Sequence, residues 1–179
     1  MQRYIALLRA INVGGHNLKM EQLRALFAEL GLSGVETFIA SGNVIFEAPE
    51  NDASALAERV EAHLRAALGY EVTTFLRTPA ELAAVARYEP FPGMAAPSDA
   101  LYICFFAAPP APEAEANLRA LGGEDDEFHA HERELYWLRR SKISDSQIPA
   151  AALARALGAP NTMRNATTVR KLAAKYPAG

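Results

Sequence analysis

The sequence predicts an α+β protein made of two ferredoxin-like halves with antiparallel or mixed sheets. Short apolar runs typical of buried strands alternate with stretches of helical periodicity. The elements of the first 77 residues follow the order strand, helix, strand, strand, helix, strand, which is the βαββαβ order of a ferredoxin-like unit. A similar order restarts near residue 101, so the 179 residues are predicted to form two small halves.

The first half opens with a continuous apolar run, which indicates a strand covered on both faces. In the helix that follows, Asn17 is expected to be the cap and Gly31 to end it. Two β-rich runs then bracket a turn whose glycine and asparagine are expected to take positive φ. The predicted elements are a strand at 4–8, a helix after 17, strands at 35–40 and 44–46, a helix at 56–68 and a strand at 71–76.

Thr78 and Pro79 are predicted to start a helix that leads out of the first half. A loop with three prolines follows at 88–98 and is the candidate boundary. The second half is predicted as a βαββα variant, with its fourth strand missing or very short and a helix added at the C-terminal end. Its predicted elements are a strand at 101–106, a helix at 112–121, strands at 127–130 and 135–138, a helix at 149–157 and a last helix after 160.

This order divides the chain into a ferredoxin-like half at 1–78, a helix and proline-rich connection at 79–98, and a variant half at 99–179 with a basic last helix. The halves share an order of elements but no sequence motif. We therefore infer a structural duplication rather than a sequence repeat.

Composition excludes several classes of protein. Half of the residues are apolar, 22% are charged and the mean hydropathy is -0.04, which excludes a disordered or collagen-like chain. The single cysteine, Cys104, excludes an internal disulfide framework and a multi-cysteine zinc site. The N-terminal apolar stretch is short for a signal peptide and no run of about 20 apolar residues follows. We expect a cytoplasmic protein with no membrane partner and no cofactor.

The net charge of -3 conceals an asymmetry along the chain. Residues 1–134 carry 10 basic and 20 acidic side chains, whereas 135–179 carry 8 basic side chains and one acidic side chain. A basic C-terminal region suits an anionic partner such as nucleic acid, or it pairs with the acidic part inside the protein.

Polar residues collect after the first strand and in the following hairpin turn. In a ferredoxin-like unit these two loops lie at the same end of the sheet, separated by two strand spacings or roughly 10 Å. Gly14 and Gly15 also precede a helix N-terminus, where backbone amides and the helix dipole attract anions. A pocket for a phosphate-sized ligand is therefore expected there, although two glycines before a helix also make an ordinary tight connection.

The last helix offers a second group of polar residues. Thr162 or Asn165 is expected to cap it, which places Arg164 in or near its first turn. A cation at this positive end of the dipole is better explained by an anion or carboxylate partner, or by a frayed surface position, than by helix stability.

Other chemistry-bearing residues carry weaker predictions. Ser141, Lys142 and Ser144 could bind phosphate, and the serine and lysine could in principle support acyl chemistry. His129 and His131 are two residues apart near a hairpin turn, where a solvated hairpin is favoured over a metal site. Within its apolar strand, Cys104 is expected to behave as a small hydrophobic residue.

Three segments together resemble the bacterial domain-of-unknown-function 1697 family. They are the loop INVGG at 11–15, the turn SGN at 41–43 and the tail TMRNATTVRKLA at 162–173. The resemblance implies a compact α+β protein and brings no established activity. Met163 and Ala166 depart from the usual TTRNWNT tail of the family, so the role of the missing tryptophan is not carried over. The residues that match are Arg9, Asn12, Gly14, Gly15, Lys19, Met20, Ser41, Gly42, Asn43, Thr162, Arg164, Asn165 and Thr167.

We therefore expect a protein that binds a small anionic or phosphate-containing ligand. The candidate donors include no carboxylate, which argues against glycosidase-like acid–base chemistry and against a magnesium site. The alternatives are a nucleic-acid-binding module that uses the basic 139–175 region and a ligand-free structural or interaction protein. The predicted ligand-binding residues are Arg9, Asn12, Gly14, Gly15, Lys19, Ser41, Gly42, Asn43, Thr162, Arg164 and Asn165.

Overall fold

A computed structural model describes residues 1–12, 15–39, 42–91, 101–140 and 148–178. These residues form a mixture of helices and strands, as the hydrophobic pattern predicts. In chain order the elements are β1 (Gln2–Leu8), α1 (Met20–Glu29), β2 (Ser33–Thr37), β3 (Asn43–Ala48), α2 (Ala53–Leu68), β4 (Thr74–Arg77), α3 (Pro79–Arg87), β5 (Leu101–Phe106), α4 (Ala114–Leu121), β6 (Asp126–His131), β7 (Glu134–Arg139), α5 (Ala150–Leu157), β8 (Asn161–Asn165) and α6 (Ala166–Lys175).

The chain divides into two compact units. The first unit comprises Met1–Leu82 together with Tyr176–Gly179, and the second comprises Ala83–Lys175. Each unit holds one four-stranded sheet in which all neighbouring strands are antiparallel. The α+β class and the two similar halves are confirmed.

In the first unit the strand order is β2-β3-β1-β4, so β1 and β2 run parallel with β3 between them. The loop after β1 and the hairpin between β2 and β3 therefore lie at the same end of the sheet. The backbone N–H of Leu8, the last residue of β1, donates to the carbonyl of Gly42 in that hairpin at 2.8 Å. The expected placement of both loops at one end of the sheet is confirmed. The expected separation of roughly 10 Å was wrong, because β3 neighbours β1 and brings Gly42 directly against Leu8.

The second unit repeats this arrangement as β6-β7-β5-β8. Its fourth strand, β8, was expected to be missing or very short, yet it has five residues and pairs with β5 along its whole length. The expectation was wrong because the side chains that β8 buries are Thr162 and Arg164, so no apolar alternation marks the strand. Both sheets share one strand order, which supports the ferredoxin-like interpretation.

A buried arginine occupies the same position in each sheet. Arg77 in β4 lies opposite Ile5 of β1, and Arg164 in β8 lies opposite Ile103 of β5. Each guanidinium Nη1 donates at 2.8 Å to the carbonyl of the residue that precedes the arginine. This correspondence of position and contact supports the interpretation that the halves arose by duplication.

One face of the first sheet packs on α1 and α2 through a single hydrophobic cluster that includes Leu23, Phe27 and Val60. The apolar run at 4–8 is buried throughout, which confirms that β1 is covered on both faces. In the second unit Leu118 of α4 and Leu157 of α5 pack in the corresponding way on one face of their sheet.

Two local details of the first unit differ from expectation. Asn17 does not cap α1, since the helix begins only at Met20 and Lys19 occupies the cap position. Asn43 does not take positive φ, because it lies in β3 and pairs with Leu7. In the described part of the turn between β2 and β3, positive φ values belong to Ile39 and Gly42.

A substitution at Gly42 can test how closely the hairpin approaches the chain after β1. Its φ is +73°, and a Cβ added there would lie 2.8 Å from Cγ2 of Ile11. Gly69 has a similar φ of +78° with no atom within 4 Å of such a Cβ, so it is a matched control. We expect Gly69→Ala to lower the free energy of unfolding by about 1 kcal/mol from backbone strain alone. Gly42→Ala should lower it by about 2–4 kcal/mol because overpacking adds to the strain.

Urea unfolding of the two variants beside the wild-type protein measures these differences. A loss in Gly42→Ala no larger than that in Gly69→Ala would contradict the close approach of hairpin and loop.

Candidate functional site

The segment that leads from β1 to α1, here called the β1–α1 bend, comprises residues 9–19, of which 13 and 14 lie outside the described residues. Side-chain hydrogen bonds engage the described residues of the bend. Oδ1 of Asn12 accepts the backbone N–H of Leu18 at 2.7 Å, which closes the bend on itself. The hydroxyl of Tyr70 donates to the carbonyl of Ile11 at 3.2 Å and ties the bend to the segment before β4.

Two cations, Arg9 and Lys19, project from the β1–α1 bend. Both residues are exposed, and neither side chain forms an ion pair with any residue that the structure describes. The backbone of Arg9 is itself held, because its N–H donates to the carbonyl of Thr73 at 2.9 Å. His16, also exposed, stacks on the ring of Tyr70 with a centroid distance of 3.8 Å. Among the described residues, Arg9 and Lys19 thus present positive charge without an ion-paired partner, and the backbone of Arg9 is hydrogen-bonded.

The β2–β3 hairpin borders the β1–α1 bend. Asn43 is fully buried, and its Nδ2 donates to the carbonyl of Phe38 at 3.0 Å. The backbone N–H of Phe38 donates in turn to the carbonyl of Asn43 at 3.0 Å. This asparagine holds the hairpin together and does not face solvent.

The structure brings the predicted residues of the first unit to one end of its sheet. These are Arg9, Asn12, Gly15 and Lys19 on the bend with Gly42 and Asn43 on the hairpin. Gly14 and Ser41 lie outside the described residues, so their predictions remain predictions.

The three predicted residues of the second unit have contacts of their own. Arg164 lies in β8 and not in the first turn of α6, which corrects the expected placement. It is 8% exposed, and its Nη1 donates to Oγ1 of Thr162 at 2.8 Å. Burial lowers the pKa of Arg164 to about 10, so the guanidinium keeps its charge at neutral pH. Oδ1 of Asn165 accepts the N–H of Thr167 at 2.7 Å, which makes Asn165 the cap that the sequence predicted as one of two choices.

Comparison with known proteins places the chain in a family. The family described as "Protein of unknown function (DUF1697)" matches residues 1–136, three quarters of the sequence. The chain belongs to the DUF1697 family. The match includes the bend and the hairpin, whereas the tail that contains Arg164 lies beyond the matched residues.

This DUF1697 chain also resembles a solved structure, described as that of conserved bacterial protein SP0830 from Streptococcus pneumoniae. The two superpose with a TM-score of 0.77 over 99% of each chain at 24% sequence identity. At this identity the likeness shows a common fold. No curated protein matches the chain.

The two histidines of β6 belong to an aromatic cluster. The rings of His131 and Tyr88 stack at a centroid distance of 3.9 Å, and Nε2 of His129 lies 2.8 Å from the hydroxyl of Tyr88. Tyr88 lies 41 residues before His129, so no local sequence pattern predicts this contact. Across the described ranges, no group of three or more His, Cys, Asp or Glu residues could hold a metal ion. Ser141, Lys142 and Ser144 lie outside those ranges.

Part of the basic C-terminal region forms ion pairs with acidic residues of the second unit. Arg139 and Asp126 form a buried ion pair at 2.7 Å, and Arg140 pairs with Glu127 on the same hairpin. These two ion pairs support the prediction that the acidic and basic parts of the sequence attract each other. The exposed basic side chains of α5 and α6 include Arg155, Arg170 and Lys171.

A shallow groove of about 280 Å³ lies in the first unit beside α2. Its lining is largely acidic, so it does not suit an anion, and none of the predicted site residues reaches it. The groove is lined by Glu58, Glu61, Ala62, Arg65, Glu71, Val72 and Thr73.

No helix within the described ranges is long and apolar enough to span a membrane.

Burial makes Cys104 an unreactive thiol. It is 3% exposed in β5, and desolvation raises the pKa of its thiol to about 12.

We expect no labelling of Cys104 by a thiol reagent at pH 8 in the native protein and full labelling in urea. Because the unfolded thiol ionises near pH 9, the stability that the buried thiol contributes should be present below pH 9 and lost as the pH rises toward 12. Rapid native labelling at pH 8 would contradict this burial.

Tyr176 belongs to the first unit and contacts the β2–β3 hairpin. It is 5% exposed, and its hydroxyl donates to Oε2 of Glu36 in β2 at 2.8 Å. The edge of its ring meets Phe38 at a centroid distance of 6.4 Å. Local sequence patterns could not reveal this contact, since 140 residues separate Tyr176 from Glu36.

We expect Tyr176→Phe to speed hydrogen exchange of the Phe38 amide about tenfold, because a hydrogen bond to a carboxylate contributes about 1.5 kcal/mol. Tyr4→Phe is the matched control, since it removes a hydrogen bond to the carbonyl of Glu50 at 3.0 Å near the opposite end of β1. Amide exchange followed by NMR tests the contact. Equal acceleration at Phe38 in both variants would show that Tyr176 has no local effect on the hairpin.

Proposed function

We propose that this DUF1697 protein binds a small phosphate-containing anion at the β1–α1 bend, beside the β2–β3 hairpin. One observation carries the proposal: Arg9 and Lys19 project, without ion pairs among the described residues, from a bend that hydrogen bonds hold in place. Cations on a pre-organised loop bind an anion with little ordering cost. An exposed arginine that serves only solubility needs no such fixed backbone.

The start of α1 adds to the attraction. Lys19 occupies the cap position, and the first backbone N–H within the helix that reaches a carbonyl of the preceding turn is that of Leu23. The amides before it point toward the bend, and the helix dipole makes this end positive. Glu21, the acidic residue of the first turn, opposes a bound anion.

The proposal uses residues of the first unit alone. Thr162, Arg164 and Asn165 are engaged in β8 and at the start of α6, and their part in ligand binding stays a sequence prediction. No residue is assigned a catalytic role, because Arg9 and Lys19 are proposed only to bind the anion. Binding is therefore the activity that the geometry supports.

Nucleic-acid binding through the basic C-terminal region is the second candidate. It has less support, because Arg139, Arg140 and Arg164 are engaged inside the second unit. The exposed Arg170 and Lys171 of α6 favour it. Such binding would weaken steeply between about 50 and 200 mM salt.

A thermal-shift screen of inorganic phosphate, pyrophosphate, nucleotides and sugar phosphates tests the proposal, followed by calorimetry on the best binder. We expect stabilisation of about 2.7 kcal/mol at 100 times the dissociation constant. Arg9→Ala should weaken binding about tenfold, since hydrogen bonds to charged groups contribute about 1.5–3 kcal/mol. Glu21→Gln should strengthen it about twofold by removing a like charge near the helix start.

Arg3→Ala is the control, because Arg3 is an exposed arginine of β1 that pairs with Glu47 and lies about 20 Å from Arg9 at the β-strand rise. It should bind like the wild-type protein. A screen without any stabilising anion, or equal binding by Arg9→Ala and the wild-type protein, would overturn the proposal.

A further inference from the structure

Ile39 is an apolar side chain in an unusual place. It is 52% exposed and has a φ of +57°. Positive φ is a strained conformation for a β-branched residue and occurs rarely. Within the described ranges the other large exposed hydrophobic residues are Met1 and Leu121, and neither has positive φ.

Contacts on the preceding residue hold Ile39 in this conformation. The backbone of Phe38 bonds to Asn43 in both directions, once through the asparagine side chain and once through its carbonyl. The ring of Phe38 is braced by Tyr176. Phe38 is thus held through both its backbone and its ring, whereas the next residue, Ile39, is exposed.

Ile39 lies at the same end of the sheet as Arg9. Phe38 is joined to Asn43, Asn43 pairs with Leu7 of β1, and Arg9 follows two residues later. Two strand spacings separate the chain at Phe38 from the chain at the end of β1, or about 10 Å. The backbone that leads into the exposed Ile39 thus lies about 10 Å across the sheet end from the backbone that leads into Arg9, which has no ion pair among the described residues.

We propose that the ligand of the β1–α1 bend is a phosphate ester that carries an apolar or aromatic group, and that this group packs on Ile39. The inference rests on the proposed function and adds the chemical class of the ligand. Arg9 and Lys19 hold the phosphate, and Ile39 discriminates an ester from inorganic phosphate. An exposed, strained apolar residue gains from being covered by a ligand, because its surface leaves water without any change in the backbone.

Calorimetry with inorganic phosphate and phenyl phosphate as probes tests the inference. The wild-type protein should bind phenyl phosphate about tenfold more tightly than inorganic phosphate, because apolar surface is buried on both partners. Ile39→Ala should remove most of this preference while binding inorganic phosphate as before. Leu121→Ala, which alters another exposed hydrophobic residue, is the control and should keep the preference. Urea unfolding of Ile39→Ala checks that the variant is folded.

The outcomes separate the two proposals. Equal affinity for both probes, or a preference that persists in Ile39→Ala, overturns the inference and leaves the anion site standing. Failure of both probes to bind overturns the proposed function together with this inference. If Ile39→Ala instead abolishes self-association of the protein without affecting ligand preference, Ile39 belongs to a contact between copies and the inference is wrong.

Discussion

The first unit depends on the absence of a side chain at Gly42. The carbonyl of Gly42 accepts the last backbone N–H of β1, and the space a side chain would need is filled by Ile11. Because the hairpin can approach so closely, the chain leaving β1 turns along it rather than away from it. The same turn brings Arg9 beside Thr73 and Ile11 beside Tyr70, so the course of the β1–α1 bend follows from one close contact.

The two buried arginines, Arg77 and Arg164, differ from the exposed Arg9. The comparison distinguishes polar residues that stabilise the fold from those that are available to a ligand. A buried guanidinium keeps its charge and must satisfy up to five N–H donors, so it is costly unless it is hydrogen-bonded. Arg77 and Arg164 occupy equivalent positions and bond to equivalent carbonyls, which indicates a requirement of the fold. Arg9 is exposed and its side chain lacks such contacts within the described ranges. The anion site that we propose therefore uses Arg9.

Local sequence patterns predicted much of this architecture, and distant contacts account for what they missed. The apolar run of β1 and the topology that places the bend beside the hairpin were both accessible from the sequence. The strand β8 was not, because its buried face carries Thr162 and Arg164 in place of apolar residues. The contact of Tyr176 with β2 and that of Tyr70 with the bend join residues far apart in sequence, and no periodicity encodes such pairs. Positive φ at Ile39 contradicts local preference and follows from tertiary contacts.

The central claim is that close packing of hairpin and bend creates an anion site in the first unit. An NMR titration of the amide-labelled protein with inorganic phosphate tests it most directly, because each amide reports on its own surroundings. The account predicts chemical-shift changes concentrated at Arg9–Asn12, Gly15–Gln22 and Gly42, with the amides of α6 unchanged. Changes centred on the exposed basic residues of α6, or no changes at millimolar phosphate, would contradict it.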